Sequence, residues 1–263
     1  LVRDTRLEVD SKPGVNNKTY GMSANASWDF GAVKLTNIAA FDYLHREEYG
    51  DYDASSSIAA DVFFGSKVRV LSDELRLASN GDGPLRWILG VYQYEEEYRQ
   101  RIQLGNPNQA ALATPLTLAG TPAAPNPLRN YADNQATLES KAYAVFGQAT
   151  YEFNEQFALT AGIRYTKDKK SGTEFQRLII QSPAIAGGAA AFDVSTDIDP
   201  TTPGVQNSRS MKNSWDAVTG VLNLDWTPDS DTLVYAKYAR GYKSGGFLLG
   251  TLAPDPEADQ EQV

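Results

Sequence analysis

From residue 19 the chain settles into a period of two. Tyr20, Met22, Ala24, Ala26 and Trp28 alternate with Thr19, Gly21, Ser23, Asn25 and Ser27. Successive side chains on extended backbone point to opposite faces, so residues 19–28 predict a strand with one apolar and one polar face. The turn Asp29-Phe30-Gly31 reverses the chain. Residues 32–44 return with Val33, Leu35, Ala39, Phe41 and Tyr43 on one face, where Asn37 is an exception, against Lys34, Thr36 and Asp42. The same plan recurs three times. Residues 67–79 group Leu71, Leu75 and Leu77, with Asp73 interrupting the row. The turn Asn80-Gly81-Asp82-Gly83-Pro84 leads into residues 85–98, with Trp87, Leu89 and Val91 together. Residues 138–153 and 156–167 form the cleanest hairpin, turning at Asn154-Glu155. Residues 215–227 set Val218, Leu222, Leu224 and Trp226 against Thr219, Asn223 and Asp225. After Pro228-Asp229-Ser230 the last strand puts Val234, Ala236 and Tyr238 opposite Tyr235, Lys237 and Ala239.

The pattern thus predicts eight strands in four hairpins, with turns of two to five residues. The connections between hairpins, residues 45–66, 99–136 and 168–213, are long, polar and without period; residues 1–18 read as a loop and 245–263 as a polar tail. Loops of that length are unusual in a compact domain. Alternating short and long connections instead mark an outer-membrane barrel, with short periplasmic turns and long extracellular loops. Aromatic placement agrees. Trp28, Trp87, Trp226, Tyr151 and Phe153 lie beside the short turns; Tyr20, Tyr43, Tyr143, Tyr165, Tyr238 and Tyr242 lie at the opposite strand ends. Two aromatic belts are expected where amphipathic rings settle at both membrane interfaces.

Composition narrows the choice. Apolar residues make up 41% of the 263, low for a dry core, and the 14 tyrosines outnumber the 10 phenylalanines. A net charge of −9 argues against nucleic acid as a partner. The absence of cysteine removes disulfides and thiolate metal sites. No apolar run reaches the roughly 18 residues a membrane-spanning helix needs, which leaves a spanning barrel open. The chain starts at Leu1 without a signal peptide and is expected to be a processed product or a fragment.

Four segments, in order, carry a family resemblance. They are Ser72-Asp-Glu-Leu-Arg-Leu-Ala-Ser79 with Gly83-Pro-Leu-Arg-Trp87; Ala144-Val-Phe-Gly-Gln-Ala-Thr-Tyr151 with Leu159-Thr-Ala-Gly-Ile-Arg-Tyr165; Leu233-Val-Tyr-Ala-Lys-Tyr-Ala-Arg-Gly-Tyr-Lys-Ser-Gly-Gly-Phe247; and the approach to a further strand, Asp255-Pro256-Glu257 through Gln262-Val263. Together they resemble barrel strands of TonB-dependent outer-membrane receptors. The resemblance implies an all-β fold: a transmembrane antiparallel barrel of 22 strands, plugged by a separate N-terminal domain. Residues 1–263 would be an internal part of that barrel, without plug, TonB box or signal peptide. It further implies the outer membrane of a Gram-negative bacterium. The partners would be outer-membrane lipid, the plug domain, the TonB-ExbB-ExbD system and a small ligand such as a ferric chelate. The function would be energised uptake of a scarce nutrient, foremost an iron–siderophore complex. Two other readings stay in view: a small self-closing eight-stranded structural barrel, and a soluble carbohydrate-binding β-sandwich or propeller.

Nothing in the sequence points to catalysis, a cofactor or a bound metal. His45 stands beside Arg46, Glu47 and Glu48 without partners at ligand or general-base spacing. Glu95, Glu96 and Glu97 are adjacent on a strand, so their carboxylates diverge and do not make a glycosidase pair. The acidic runs Asp51-Tyr52-Asp53 and 193–199 fit no EF-hand spacing. The charges on the polar strand faces are more informative: Lys34, Arg76, Glu152, Arg164, Asp225 and Lys237. In a barrel they face the lumen, because a cation on the lipid face at the bilayer midplane costs about 2–4 kcal/mol. There they either meet a plug or ligand, or pair with one another. Arg240, Tyr242 and Lys243 fall at the outer rim, as a ligand edge or as a girdle with headgroup-binding cations.

Overall fold

The computed structural model describes residues 13–51, 61–105, 116–117, 130–182, 190–193, 208–250 and 256–262. Eight long strands dominate: β1 (Gly14–Asp29), β2 (Val33–Asp51), β3 (Asp61–Ser79), β4 (Leu85–Gly105), β5 (Asn130–Glu152), β6 (Phe157–Ser182), β7 (Ser208–Asp229) and β8 (Thr232–Arg240). Each pairs antiparallel with the next, making one up-and-down meander. The four hairpins read from the sequence are all present, and no helix occurs among the described residues.

The short turns are built by their own side chains. Asp29 Oδ1 accepts the Gly31 amide at 2.8 Å, and Gly31 takes a positive φ of 83°, which glycine adopts without strain. Asn154 Oδ1 accepts the amides of Gln156 and Phe157, both at 2.9 Å.

Residues directly opposite across a ladder share a face, so the register sorts the chain into rows. One outer row runs Trp28–Leu35–Leu77–Leu89–Gly147–Ile163–Gly220–Arg240. It begins one residue from the turn end of β1 and passes Gly220 nine residues from the turn end of β7. That steady stagger is the shear of a tilted barrel wall. Along the strands the outer face carries an apolar band, from Trp28 to Tyr20 on β1, Tyr151 to Tyr143 on β5, and Trp226 to Val218 on β7. These side chains stand open: Met22 is 70% exposed, Ile163 63% and Leu222 50%. A continuous exposed apolar band calls for an apolar solvent.

Asn37 and Asp73, which break the apolar rows of β2 and β3, explain each other. Asn37 Nδ2 donates to Asp73 Oδ1 at 2.6 Å, so each polar group inside the band has a partner.

The strands are longer than the sequence pattern predicts. A barrel strand needs about 9–11 residues to cross a bilayer, whereas β1 to β7 have 16 to 26. Residues 14–18, read as a loop, and 45–51, 61–66, 99–105, 130–136, 168–178 and 208–213, read as connections, continue the ladders. Above the membrane water replaces lipid outside, so the alternation that marked the strands no longer takes the same form. The acidic runs at 51–53 and 193–199 fall almost wholly outside the described residues.

Candidate functional site: the inner wall

The inner rows of β3 to β7 hold the polar chemistry. Arg164 on β6 stands opposite Phe146 on β5. Its guanidinium lies over the rings of Tyr92 at 5.4 Å and Phe146 at 5.5 Å, a cation–π arrangement that stiffens a charged side chain without neutralising it. Gly90 makes room: a Cβ there would meet the Phe146 ring at 2.2 Å, so only glycine lets that ring lie across β4. Above this cluster, the Tyr94 hydroxyl donates to Glu96 Oε2 at 2.7 Å and that of Tyr98 to Gln100 Oε1 at 2.7 Å. The inner wall therefore presents a tyrosine ladder, Tyr92, Tyr94 and Tyr98, beside a fixed cation.

A second feature was not legible in the sequence. Residues 242–250 and 256–262 fold back onto the inner face of β5, β6 and β7. Two short bridges hold them together: Tyr242–Lys243 with Glu261–Gln262, and Gly246–Phe247 with Glu257–Ala258. The Tyr242 hydroxyl donates to Asp168 Oδ2 at 3.0 Å, and Lys170 Nζ donates to Ser244 Oγ at 2.9 Å and Gly245 O at 2.8 Å. Burial, and then the Asp168 carboxylate, push the Tyr242 phenol above its ordinary pKa, so it remains a donor at neutral pH. Gly245 lies flat on the Trp215 indole, where a Cβ would come within 2.3 Å.

The anchor is a buried ion pair. Arg209 donates to Glu174 Oε2 from Nε at 3.0 Å and Nη2 at 2.6 Å. Glu174 is 1% exposed, and its other oxygen accepts from Asn134 Nδ2 at 2.8 Å and from the Gly250 amide. Every side-chain oxygen of the buried carboxylate is thus satisfied, the condition for keeping a charge out of water. The buried apolar residues among those described all face inward: Val62 on β3, and Ala136, Ala144, Met211, Trp215 and Ala217 on β5 and β7. Trp215 lies under the folded-back segment, against Gly245 and the Phe247 ring at 6.0 Å.

The residues singled out from the sequence are distributed along this wall. Arg76 pairs with Glu74, and Glu152 with Arg86, close to the short turns. Asp225 accepts from Asn223 Nδ2 at 2.8 Å. Lys34 and Lys237 are exposed on the inner rows, the latter opposite Asn223. Only Arg164 joins the aromatic cluster. At the rim the three candidates separate. Tyr242 turns inward to Asp168, and Lys243 lies 3.8 Å from Glu261 with both side chains well exposed. Arg240 falls in the outer row, opposite Gly220, one step beyond Tyr238. His45 lies 3.2 Å from Glu47. The glutamates 95 to 97 diverge: Glu95 and Glu97 point outward, Glu96 inward to Tyr94. No group of metal-ligating side chains occurs among the described residues.

An antiparallel meander with sheared rows, an exposed apolar outer band between aromatic belts and a polar inner wall defines a segment of a transmembrane β-barrel. The particular barrel follows from its family. The chain belongs to the TonB dependent receptor-like, beta-barrel family, whose model matches residues 3–258. That family is one of outer-membrane receptors of Gram-negative bacteria, not of enzymes. Solved structures share the fold. The ferric yersiniabactin uptake receptor FyuA of Yersinia pestis is 16% identical with a TM-score of 0.66, over 95% of this chain and 32% of that one. The siderophore receptor PiuA of Acinetobacter baumannii is 14% identical with a TM-score of 0.53, over 89% and 33%. The copper transporter OprC is 16% identical with a TM-score of 0.50, over 87% and 31%. The chain spans about a third of the length of each.

Proposed function

We propose that this chain forms part of the lumen wall of a receptor that takes up an iron–siderophore complex with energy supplied through the TonB-ExbB-ExbD system. The reading rests on one observation above all: the tyrosine ladder Tyr92, Tyr94 and Tyr98 beside the π-held cation Arg164. A ferric chelate offers aromatic or carboxylate surface and often carries negative charge. Stacking faces and a fixed guanidinium match that surface. The other inner-row charges, Lys34, Arg76, Glu152, Asp225 and Lys237, fit contact with a plug domain as the cargo passes. Tyr242 and Lys243 fit the outer edge of the path, while Arg240, on the outer row, fits a lipid headgroup. The iron-receptor names of two structural neighbours favour a ferric cargo.

The test uses the full-length receptor under iron limitation. Arg164→Ala and Tyr94→Ala should each cut uptake of the cognate ferric chelate severalfold at normal surface expression. Lys243→Ala should have a smaller effect. Disabling TonB should abolish uptake. Uptake indifferent to Arg164→Ala and Tyr94→Ala would remove the inner wall as a ligand path. Uptake of copper but of no ferric chelate would replace the cargo and keep the class.

A further inference from the structure

Two polar side chains stand in the outer band with apolar outward neighbours on both sides along their strands. Leu35 and Ala39 flank Asn37 on β2, and Leu71 and Leu75 flank Asp73 on β3. On β1 the band runs from Trp28, one residue from the turn end, to Tyr20, nine residues from it. Asn37 and Asp73 lie four and six residues from the turn ends of their own strands, at the middle of the hydrocarbon. At that depth β5 to β7 turn only Gly147, Ala161, Ile163 and Leu224 outward. Ionisable side chains inside a membrane almost always face protein or water rather than lipid. Asp73 faces outward, so what it meets lies outside this wall.

The bond between the two residues does not use up either group. Asn37 Nδ2 donates to Asp73 Oδ1 at 2.6 Å, while its second contact, with Glu74 O, is stretched to 3.5 Å. No donor among the described residues reaches Asp73 Oδ2. Gln93, directly opposite Asp73 on β4, turns its amide to Glu95 Oε1 at 3.3 Å instead. Hydrocarbon supplies no water to fill the open acceptor.

Shape supplies the second observation. Beside the pair, Ala24 and Ala39 recess the wall, and Met22, Phe41 and Leu71 rise around them, leaving a shallow concavity of about 440 Å³. Met22 is 70% exposed and Leu71 49%. Two lipid-facing surfaces gain nothing from hydrophobic burial when they meet, so contact within a membrane relies on close packing over small residues and on hydrogen bonds. This patch offers both. It also specifies its complement. A donor amide beside an acceptor carboxyl fits its own copy after half a turn, Asn37 of each meeting Asp73 of the other. A second copy enters the same membrane in the same orientation, so its pair stands at the depth required.

We infer that this face of β1 to β3 is the contact of a symmetric dimer in the plane of the membrane, with Asn37 and Asp73 bonded across a two-fold axis along the membrane normal and the knobs of each copy seated over Ala24 and Ala39 of the other. The contact is independent of the cargo the lumen carries.

The experiment uses the purified full-length receptor, with any other cysteine replaced, at low density in lipid vesicles. A single cysteine is placed at Ala39 beside the pair or, as the control face, at Ala161 on β6, and the vesicles are oxidised. Ala39→Cys should form a disulfide-linked dimer at least about tenfold faster than Ala161→Cys. Adding Asn37→Leu with Asp73→Leu removes both polar groups together and should lower the rate to that of the control. The exchange Asn37→Asp with Asp73→Asn rebuilds a self-complementary pair and should keep the fast rate. Equal rates at Ala39 and Ala161 would show random collision and overturn the contact. So would a fast rate that survives the two leucines, or one lost in an exchanged variant that retains heat-modifiable gel mobility. No cross-link at either position would leave the face to a different membrane protein and overturn the second copy as occupant. If the leucine variant loses heat-modifiable mobility and so has not folded, the comparison of Ala39 with Ala161 decides alone.

Discussion

Between Val218 and Trp226, β7 turns its apolar residues outward: Val218, Leu222, Leu224 and Trp226 are 42–50% exposed, while Thr219, Asn223 and Asp225 face inward. Between Ser208 and Ala217 the same strand inverts. Met211, Trp215 and Ala217 are buried inward, and Ser208, Ser210, Lys212, Ser214 and Asp216 face out. The backbone ladder to β6 runs through both halves without a break in register. Only the surroundings change. Below, lipid lies outside and a wet lumen inside; above, water lies outside and a folded-back segment covers the inner face. The difference teaches that polarity along a barrel strand reports the medium on each side, whereas the strand is set by its hydrogen bonds.

The sharpest way to break the upper half is Glu174→Ala. It leaves the buried Arg209 guanidinium without its carboxylate and should cost about 3–5 kcal/mol. Hydrogen exchange should show it as faster exchange at the Gly250 amide, with the lower rows of β7 unchanged. The lower half breaks differently. Leu222→Arg puts a cation on the lipid face near mid-band and should cost about 2–4 kcal/mol. Ser214→Arg, on the same outer face above the belt, should shift stability by less than about 0.5 kcal/mol. Urea unfolding of the receptor in lipid vesicles measures both; equal effects would erase the boundary drawn at Asp216. A smaller effect tests the polar exception in the band. Asn37→Leu leaves Asp73 without its donor in an apolar setting, at about 1–3 kcal/mol, and Asn37→Leu with Asp73→Leu should recover most of that loss.

These two halves also account for what the sequence disclosed. The lower band was legible almost residue by residue: the tyrosine belt, the tryptophans at the turns and the rows on β1, β5, β6 and β7 all follow from one alternation. Even the irregular Asn37 and Asp73 were visible as exceptions, though their bond to each other needed the register. The upper half was not legible. Residues 208–217 do alternate, but with the apolar set on the inner face, so they did not extend the outward row from Val218, and 208–213 were read as connection. The inward fold of residues 242–250 and 256–262 depends on partners far along the chain, Asp168, Lys170, Glu174 and Trp215, and no local pattern announces it. A hint remained in Gly245-Gly246, where glycine permits the close approach to Trp215. Among the candidate site residues, the sequence placed Arg164 on the inner face but not between Tyr92 and Phe146. For Arg240, strand parity already assigned the outer face, and the rim reading passed over it.

The most direct test of the two-medium account is a scan along β7. The chain contains no cysteine, so single cysteines at successive positions from 208 to 226 can be spin-labelled in the full-length receptor, with any cysteine elsewhere in it replaced, and reconstituted in bilayers. Accessibility is then compared between oxygen, which concentrates in lipid, and a water-soluble nickel complex. From Val218 to Trp226 the even positions should favour oxygen and the odd positions the nickel complex, with period two. At Asp216 and above, the even positions should switch to the nickel complex, and Met211 and Trp215 should be shielded from both. Oxygen preference at Thr219 and Asn223, or a period-two lipid signal continuing unchanged to Ser208, would contradict the account.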